Sequence, residues 1–268
     1  ITNLSNLNNA QKDAEKNLVN SASTLEQVQQ NLQTAQQLDN AMGELRQSIA
    51  NKDQVKADSK YLNEDSQIKQ NYDDAVQRAE SIINATQNPE LLKANIDQAT
   101  QSVQNAEQAL HGAEKLNQDK HTSSTELDGL TDLTDAQREK LREQINTSNS
   151  RDDIKQKIEQ AKALNDAMKQ LKEQVAQKDG VHANSDYTNE DSAQKDAYNN
   201  ALKQAEDIIN NSSNPNLNAQ DITNALNNIK QAQDNLHGAQ KLQQDKNTTN
   251  QAIGNLNHLN QPQKDALI

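Results

Sequence analysis

Cysteine, tryptophan and phenylalanine are absent from this chain, and tyrosine appears only four times in 268 residues. Without cysteine no disulfide can staple the fold. That absence fits a cytosolic protein and equally a wall-attached surface protein, so it does not choose a compartment. With only six glycines, the chain has no glycine-rich phosphate loop, P-loop or nucleophile elbow. No stretch approaches the roughly 20 apolar residues of a transmembrane helix, and the first residues do not read as a signal peptide. A basic stripe is also missing. The net charge is −12, with both signs interspersed, which argues against nucleic acid and against an anionic membrane as partners.

Hydrophobic residues make 32% of the chain. So lean a core cannot fill a wide globule. It can fill a narrow one, in which every buried position lies near the surface and alanine does much of the packing. Whether the chain folds at all rests on how the apolar residues are spaced.

The chain repeats. Tyr61, Asn63-Glu64-Asp65-Ser66 and Tyr72 recur as Tyr187, Asn189-Glu190-Asp191-Ser192 and Tyr198. Ala41-Met42, Ile82-Ile83-Asn84, Asn88-Pro89 and Leu110-His111-Gly112-Ala113 return as Ala167-Met168, Ile208-Ile209-Asn210, Asn214-Pro215 and Leu236-His237-Gly238-Ala239, always at an offset of 126. Leu4-Ser5-Asn6-Leu7 aligns with Leu130-Thr131-Asp132-Leu133 and with Leu256-Asn257-His258-Leu259. The expected organisation is a first unit over 1–126, a second over 127–252 and the start of a third over 253–268. Intact repeat proteins end in atypical capping units, so this phase is expected of a piece of a longer protein whose targeting and anchoring signals lie elsewhere.

Within each period the apolar spacing is helical. Leu25, Val28, Leu32, Ala35, Leu38, Met42, Leu45 and Ile49 step by threes and fours, as do Ile154, Ile158, Ala161, Leu164, Met168, Leu171 and Val175. A disordered chain has no reason to keep such a seam. It predicts one long helix over about 24–52 in the first copy. A second helix is expected after Asn-Glu-Asp-Ser, with Asn63 or its predecessor as N-cap and Asn88-Pro89 as its stop. A third carries Ile96, Ala99, Val103, Ala106, Leu110, Ala113 and Leu116, with Gly112 and Gly238 inside the pattern, where each allows a close helix contact or a bend. A short first helix opens each unit. Thr134-Asp135-Ala136-Gln137 has the form of a capping box, and Pro262 after Asn260 marks the same start in the partial third copy.

The fold class expected is all-α: an elongated rod of tandem three-helix bundles with long shared helices. Four helices per unit do not divide into separate three-helix bundles unless the long one serves twice. About 110 helical residues per unit at 1.5 Å each, folded three deep, predict a rod of roughly 110 Å for two units and about 25 Å in width.

The stretch Tyr187-Thr188-Asn189-Glu190-Asp191-Ser192, Tyr198, Ala201-Leu202, Ala205, Ile208-Ile209, Asn214-Pro215 and Ile222 to Leu236 resembles the FIVAR module. Leu130 to Gln137 with the helix after it resembles the GA module, a three-helix albumin-binding type. The GA-like part is expected over about 1–52 and the FIVAR-like part over about 38–120, repeated in the second unit. Alternation of the two at this period resembles the giant matrix-binding surface proteins of staphylococci. That resemblance implies a cell-wall-associated array, fibronectin as host partner, and a part in envelope integrity and growth. It also implies albumin and cell-wall components as further partners. The chain itself is expected to be monomeric.

Candidate chemistry is weighed against plain structure. The five histidines, His111, His121, His182, His237 and His258, show no pairing at metal-ligand spacing, so surface or packing roles are expected. The Asn-Glu-Asp-Ser motifs lack the alternating ligands and glycine of a calcium loop and read as helix caps. Tyr72 and Tyr198 read as core residues, while for Tyr61 and Tyr187, at a turn, packing and anchoring a partner both stand as readings. No catalytic residue, cofactor-binding residue or metal ligand is assigned, no ligand-binding residue can be singled out, and the chain is not expected to be an enzyme.

Overall fold

A computed structural model describes all 268 residues and contains only helices and their connections. The first copy holds α1 (Asn9–Asn20), α2 (Leu25–Ser48), α3 (Lys52–Ala57), α4 (Ser59–Leu62), α5 (Ser66–Ile83) and α6 (Lys93–Gln108). Next come α7 (Gly112–Gly129), α8 (Asp135–Thr147), α9 (Arg151–Ala176), α10 (Lys178–Ala183), α11 (Ser185–Thr188), α12 (Ser192–Asn210) and α13 (Ala219–Asp234). The chain closes with α14 (Gly238–Gly254) and α15 (Gln261–Leu267). It divides into two compact units: Ile1–Asp119 with Asn149–Arg151, and Lys120–Ser148 with Asp152–Ile268.

In the first unit α1 lies against α2, and the C-terminal half of α2 forms a three-helix bundle with α5 and α6. Leu38, Met42 and Leu45 of α2 meet Tyr72, Val76 and Ala79 of α5 and Ile96, Ala99 and Val103 of α6. Alanines such as Ala35, Ala79 and Ala99 are fully buried, which is how so lean a composition fills a core without phenylalanine. The second unit repeats this bundle with Leu164, Met168 and Leu171 of α9, Tyr198 and Ala205 of α12, and Ile222 and Ile229 of α13. Gln174 donates to Gln233 at 2.8 Å, tying α9 to α13.

The second unit also contains a bundle at the other end of α9. Leu127 of α7, Leu141 and Ile145 of α8, and Ile154 and Ile158 of α9 are all buried. Side chains stitch the three helices: Arg142 of α8 reaches Ser124 and Asp128 of α7, and Lys162 of α9 pairs with Glu126 of α7 at 3.0 Å. The shared long helix is therefore real: one continuous α9 packs in two bundles.

Thr134 and Gln137 form the expected capping box, as do Asn8 with Gln11 and Asn260 with Gln263. Pro262 sits in the first turn of α15. The buried Gln11 and Gln137 do more than cap. Each donates its amide across the fold to the loop after the central hairpin, Gln11 to the Glu90 carbonyl and Gln137 to the Asn216 carbonyl, both at 2.8 Å.

Four expectations need correction. The first long helix is shorter than 24–52, ending at Ser48 before a turn into α3. Its seam is also buried only from Ala35 onward. Leu25 and Leu32 are 84% and 41% exposed. The second helix stops at Ile83 rather than at Asn88-Pro89. There the Asn8 side chain donates to the carbonyls of Ile82 and Ile83, groups left open by the helix end. Asn88, just before Pro89, instead takes a left-handed φ of 47° within the loop. Finally, the third helix is two helices: α6 ends at Gln108 and α7 begins at Gly112.

Candidate functional site

The break between α6 and α7 is made by the Asn-Glu-Asp-Ser motif. Asn63 does not cap α5; it ends the short α4, and Asp65 stands at the N-cap of α5, where its side chain makes no hydrogen bond to that helix's first amides. The residue that caps is Glu64, and the helix it caps is α7. Its side chain is fully buried. One carboxylate oxygen accepts the His111 N–H at 2.6 Å, and the other accepts the Asp65 N–H at 2.7 Å and the Lys115 ammonium. Negative charge at a helix N-terminus, where amides are unpaired and the dipole is positive, is favourable. Lys115, one turn into α7, also binds Asp65 at 2.6 Å.

The second copy builds the same latch. Glu190 accepts the N–H groups of Asp191 and His237 and the Lys241 ammonium, and Lys241 also binds Asp191. Lys241 first, then the two backbone amides, hold the Glu190 carboxyl down at about 2. For Glu64, burial acts to raise the carboxyl, but Lys115 and the amides of Asp65 and His111 outweigh it and keep it below the usual range.

Glycine is required at this latch. A Cβ on Gly112 would stand 2.5 Å from the Glu64 amide nitrogen and 2.6 Å from the Asn63 carbonyl carbon and the Lys60 oxygen. Gly238 is equally confined, 2.5 Å from the Asp186 oxygen and 2.6 Å from the Glu190 nitrogen. The first turn of α7 and of α14 thus rests directly on the backbone of the α4–α5 and α11–α12 corners. Close contact was one of the two roles expected of these glycines.

The segment Asn149–Arg151 belongs to the first unit and engages the same corner. Asn63 donates to the Asn149 carbonyl at 3.1 Å and accepts the Arg151 N–H at 3.1 Å. The Arg151 guanidinium bridges Asp65 at 2.9 Å and Asp119 at 2.7 Å. In the second copy Asn189 is exposed and bonds only within its own turn, to Ser185 and Thr188.

The tyrosines form the second recurring cluster. Tyr72 and Tyr198 are fully buried, as expected, and Tyr61 and Tyr187 stack edge-on against them with ring centroids 6.1 Å apart. Tyr61 and Tyr187 are half-buried. Their hydroxyl partners differ between copies. Tyr61 donates to Asp73 at 2.8 Å, and Asp73 also binds Lys56. At the matching positions Asn199 bonds both Tyr187 and His182, a neutral set in place of a charged one. Burial, with Asp73 beside it, pushes the Tyr61 hydroxyl up to about 12, and burial does the same for Tyr72.

Of the histidines, His111 and His237 lie exposed beside the latch, His121 and His258 are exposed, and His182 packs on Tyr187. No group of three or more His, Asp or Glu side chains converges as a metal site. One open groove of about 610 Å³ lies between α9 and the loop at Pro215, lined by Gln160, Ala163 and Leu217 and by no ionisable side chain. No helix is long and apolar enough to cross a membrane. What these arrangements do chemically is clamp one helix end onto another corner through a buried carboxylate paired with a partly exposed lysine.

The comparisons with known proteins align with this geometry. The FIVAR domain matches residues 41–111 and 167–237, over half the chain, and the GA module matches 1–41, 113–167 and 239–268. The chain belongs to the FIVAR domain family, with GA modules before, between and after its two FIVAR domains. The FIVAR–GA boundaries fall at His111-Gly112 and His237-Gly238, at the latches, and the GA–FIVAR boundaries fall inside α2 and α9.

The chain is a homologue of the extracellular matrix-binding protein Ebh of Staphylococcus aureus. It is 46% identical to Ebh of strain NCTC 8325 / PS 47 over its whole length, and 44% identical to EbhA of strain Newman. It spans only 3% and 8% of those proteins. A solved EbhA domain from Staphylococcus aureus superposes with a TM-score of 0.74 at 32% identity, covering 84% of this chain and 89% of that domain.

Proposed function

We propose that this chain is a structural and adhesive repeat segment of a bacterial cell-wall-associated surface protein. In this reading the functional period is the 126-residue repeat, 1–126 and 127–252, with 253–268 opening a third. Each repeat adds length to a rod-like spacer and offers a weak site for a host matrix protein, fibronectin being the one implied. Support for envelope integrity follows from the same rod. The observation that carries the reading is the match, across the entire chain, to proteins named for extracellular-matrix binding. The latches support its mechanical side, since each ties the end of a FIVAR domain to the start of the next GA module through a buried carboxylate.

Binding to immobilised fibronectin by arrays of one, two and more repeats tests the adhesive part. Weak binding by one repeat should strengthen with array length, linked sites gaining on the order of 10²–10⁴-fold without new contacts. No binding at any length leaves a mechanical spacer alone. Albumin immobilised in parallel tests the partner implied by the GA modules. Small-angle scattering tests the rod, and a compact globule would overturn it.

A further inference from the structure

In a chain of which 25% is charged, the groove between α9 and the loop before α13 stands apart, because no charge lines it. Ala163, Pro215, Leu217 and Ala219 supply apolar surface, and Gln160, Asn216 and Asn218 supply neutral amides. Its volume of about 610 Å³ falls in the roughly 300–1,000 Å³ range of ligand clefts. It is built from the middle of α9 and an internal loop, not from the terminal helices α1, α14 and α15. The loop wall is held in place by the fold itself. The Asn216 carbonyl accepts the Gln137 amide at 2.8 Å, the Asn216 side-chain oxygen accepts the Asn218 N–H at 2.8 Å, and its Nδ2 donates to Asp221 at 3.2 Å. Asn218 in turn caps α13, its side-chain oxygen accepting the Gln220 N–H at 2.9 Å. A wall fixed in this way loses little freedom on binding. The Gln160 carboxamide and the Asn218 Nδ2 group have no partner in the protein, so donors and an acceptor are left at the rim. The first copy has the same loop but a different rim. Gln37 stands where Ala163 does, Glu90 where Asn216 does and Lys93 where Ala219 does. The Glu90 carboxylate accepts the Leu92 N–H and the Asn95 amide, both at 2.9 Å, and Lys93 pairs with Asp97.

We propose that this neutral groove of the second repeat is a docking site for the host matrix partner, and that it takes an extended, uncharged peptide segment. An apolar side chain of the segment sits among Ala163, Pro215 and Leu217, and its backbone N–H and C=O groups meet Gln160 and Asn218. The proposal rests on the matrix-binding reading above and gives it a place and a chemistry. The lining excludes a charged side chain, which would leave water with no counter-charge to receive it. Extended backbone suits the rim because it presents unpaired N–H and C=O groups along its length, whereas a helix presents them only at its ends. The first copy, with Glu90 and Lys93 at its edge, takes such a segment less well. The two repeats are therefore unequal in adhesion, and avidity follows the number of neutral grooves rather than the number of repeats.

The sister repeat supplies the test. Affinity for immobilised fibronectin is measured for the full chain and its variants. Ala163→Gln with Ala219→Lys installs the residues that the first copy already carries as Gln37 and Lys93, so the fold is kept. Binding should fall about tenfold, one decade in affinity. Gln160→Ala, at an exposed position, should weaken it about threefold, the worth of one neutral hydrogen bond. Ala193→Gln with Ala197→Asn also installs first-copy residues, but on α12, and should leave binding unchanged. Because no charge takes part, wild-type binding should hold between about 50 and about 500 mM salt, a range over which exposed ion pairs are screened. Equal binding by the wild type and the Ala163→Gln, Ala219→Lys chain overturns the groove while leaving matrix adhesion standing. A steep loss with salt overturns its neutral chemistry. No binding by the wild type overturns the adhesive reading and the groove together.

Discussion

Replacing Gly112 with alanine sets helix propensity against tertiary packing with opposite signs. In an exposed helix, Gly→Ala stabilises by up to about 1 kcal/mol. At Gly112 the new methyl would lie 2.5–2.6 Å from three backbone atoms of the α4–α5 corner, none of which can rotate away. Relief requires α7 to withdraw by roughly 1 Å, enough to forfeit a quarter to a half of the van der Waals attraction across the contact. The same movement stretches the 2.6 Å bond from the His111 N–H to the Glu64 carboxylate beyond hydrogen-bonding range. A hydrogen bond to a charged group contributes about 1.5–3 kcal/mol and overpacking costs about 1–3 kcal/mol. Set against the propensity gain, the net expectation is a loss of about 1.5–5 kcal/mol. Gly129, in the same helix, has nothing within 4 Å of its added Cβ and no positive φ, so Gly129→Ala should be neutral or stabilising by up to about 1 kcal/mol. Two homologous units make a single unfolding midpoint ambiguous. Amide hydrogen exchange avoids this, because peptides spanning 105–120 can be compared with their untouched counterparts at 231–246. Gly112→Ala should lose protection in the first set alone. Protection equal to or above that of Gly129→Ala would refute the close-approach account.

Three further outcomes are expected. Glu15 is buried at the position held by Leu141 in the second copy, with one carboxylate oxygen unpartnered, and burial raises its carboxyl above the usual 4.5. Glu15→Leu should therefore stabilise by about 1–3 kcal/mol at neutral pH. A raised folded value means that this group adds stability to the wild type as pH falls through it, so the thermal-midpoint advantage of Glu15→Leu over the wild type should be smaller at about pH 4 than at about pH 7. Tyr72→Phe removes a buried hydroxyl with no partner and should be neutral or stabilising, whereas Tyr61→Phe loses the 2.8 Å bond to Asp73 and should cost about 0.5–1.5 kcal/mol in chemical denaturation. Because the Tyr61 and Tyr72 hydroxyls sit at about 12 when folded against an ordinary value of 10.0, their neutral forms favour the fold. That contribution is complete below about pH 10 and is lost between about pH 10 and 12, so phenolate absorbance should rise together with loss of helix rather than before it.

Features set by neighbours in sequence were readable without coordinates. The Thr134–Gln137 capping box, the Pro262 helix start and the burial of Tyr72 and Tyr198 follow from local pattern. Features set by a distant partner were not. The Asn-Glu-Asp-Ser motif carries a capping residue, but Glu64 caps a helix that begins 48 residues later, so local spacing assigned the role to Asn63 and the wrong helix. A signal for it does exist in the repeat. Glu64 and Lys115 recur together as Glu190 and Lys241 at one offset, as do the glycines between them. Helix length was overread for a related reason: apolar periodicity runs unbroken through Leu110, yet an external carboxylate takes the His111 amide and restarts the helix.

The continuous α9 imposes an angular constraint on how such repeats can change. Ile154 and Ile158 serve the bundle with α7 and α8, while Leu164, Met168 and Leu171 serve the bundle with α12 and α13, and no loop intervenes to absorb a change of register. At 3.6 residues per turn, inserting or deleting one residue between those two groups would rotate one bundle's apolar stripe by about 100° against the other's. Substitutions can accumulate freely on the polar face of that helix, but length cannot drift there. The constant offset of 126 between the copies is what a shared rotational phase, rather than shared residues, would preserve.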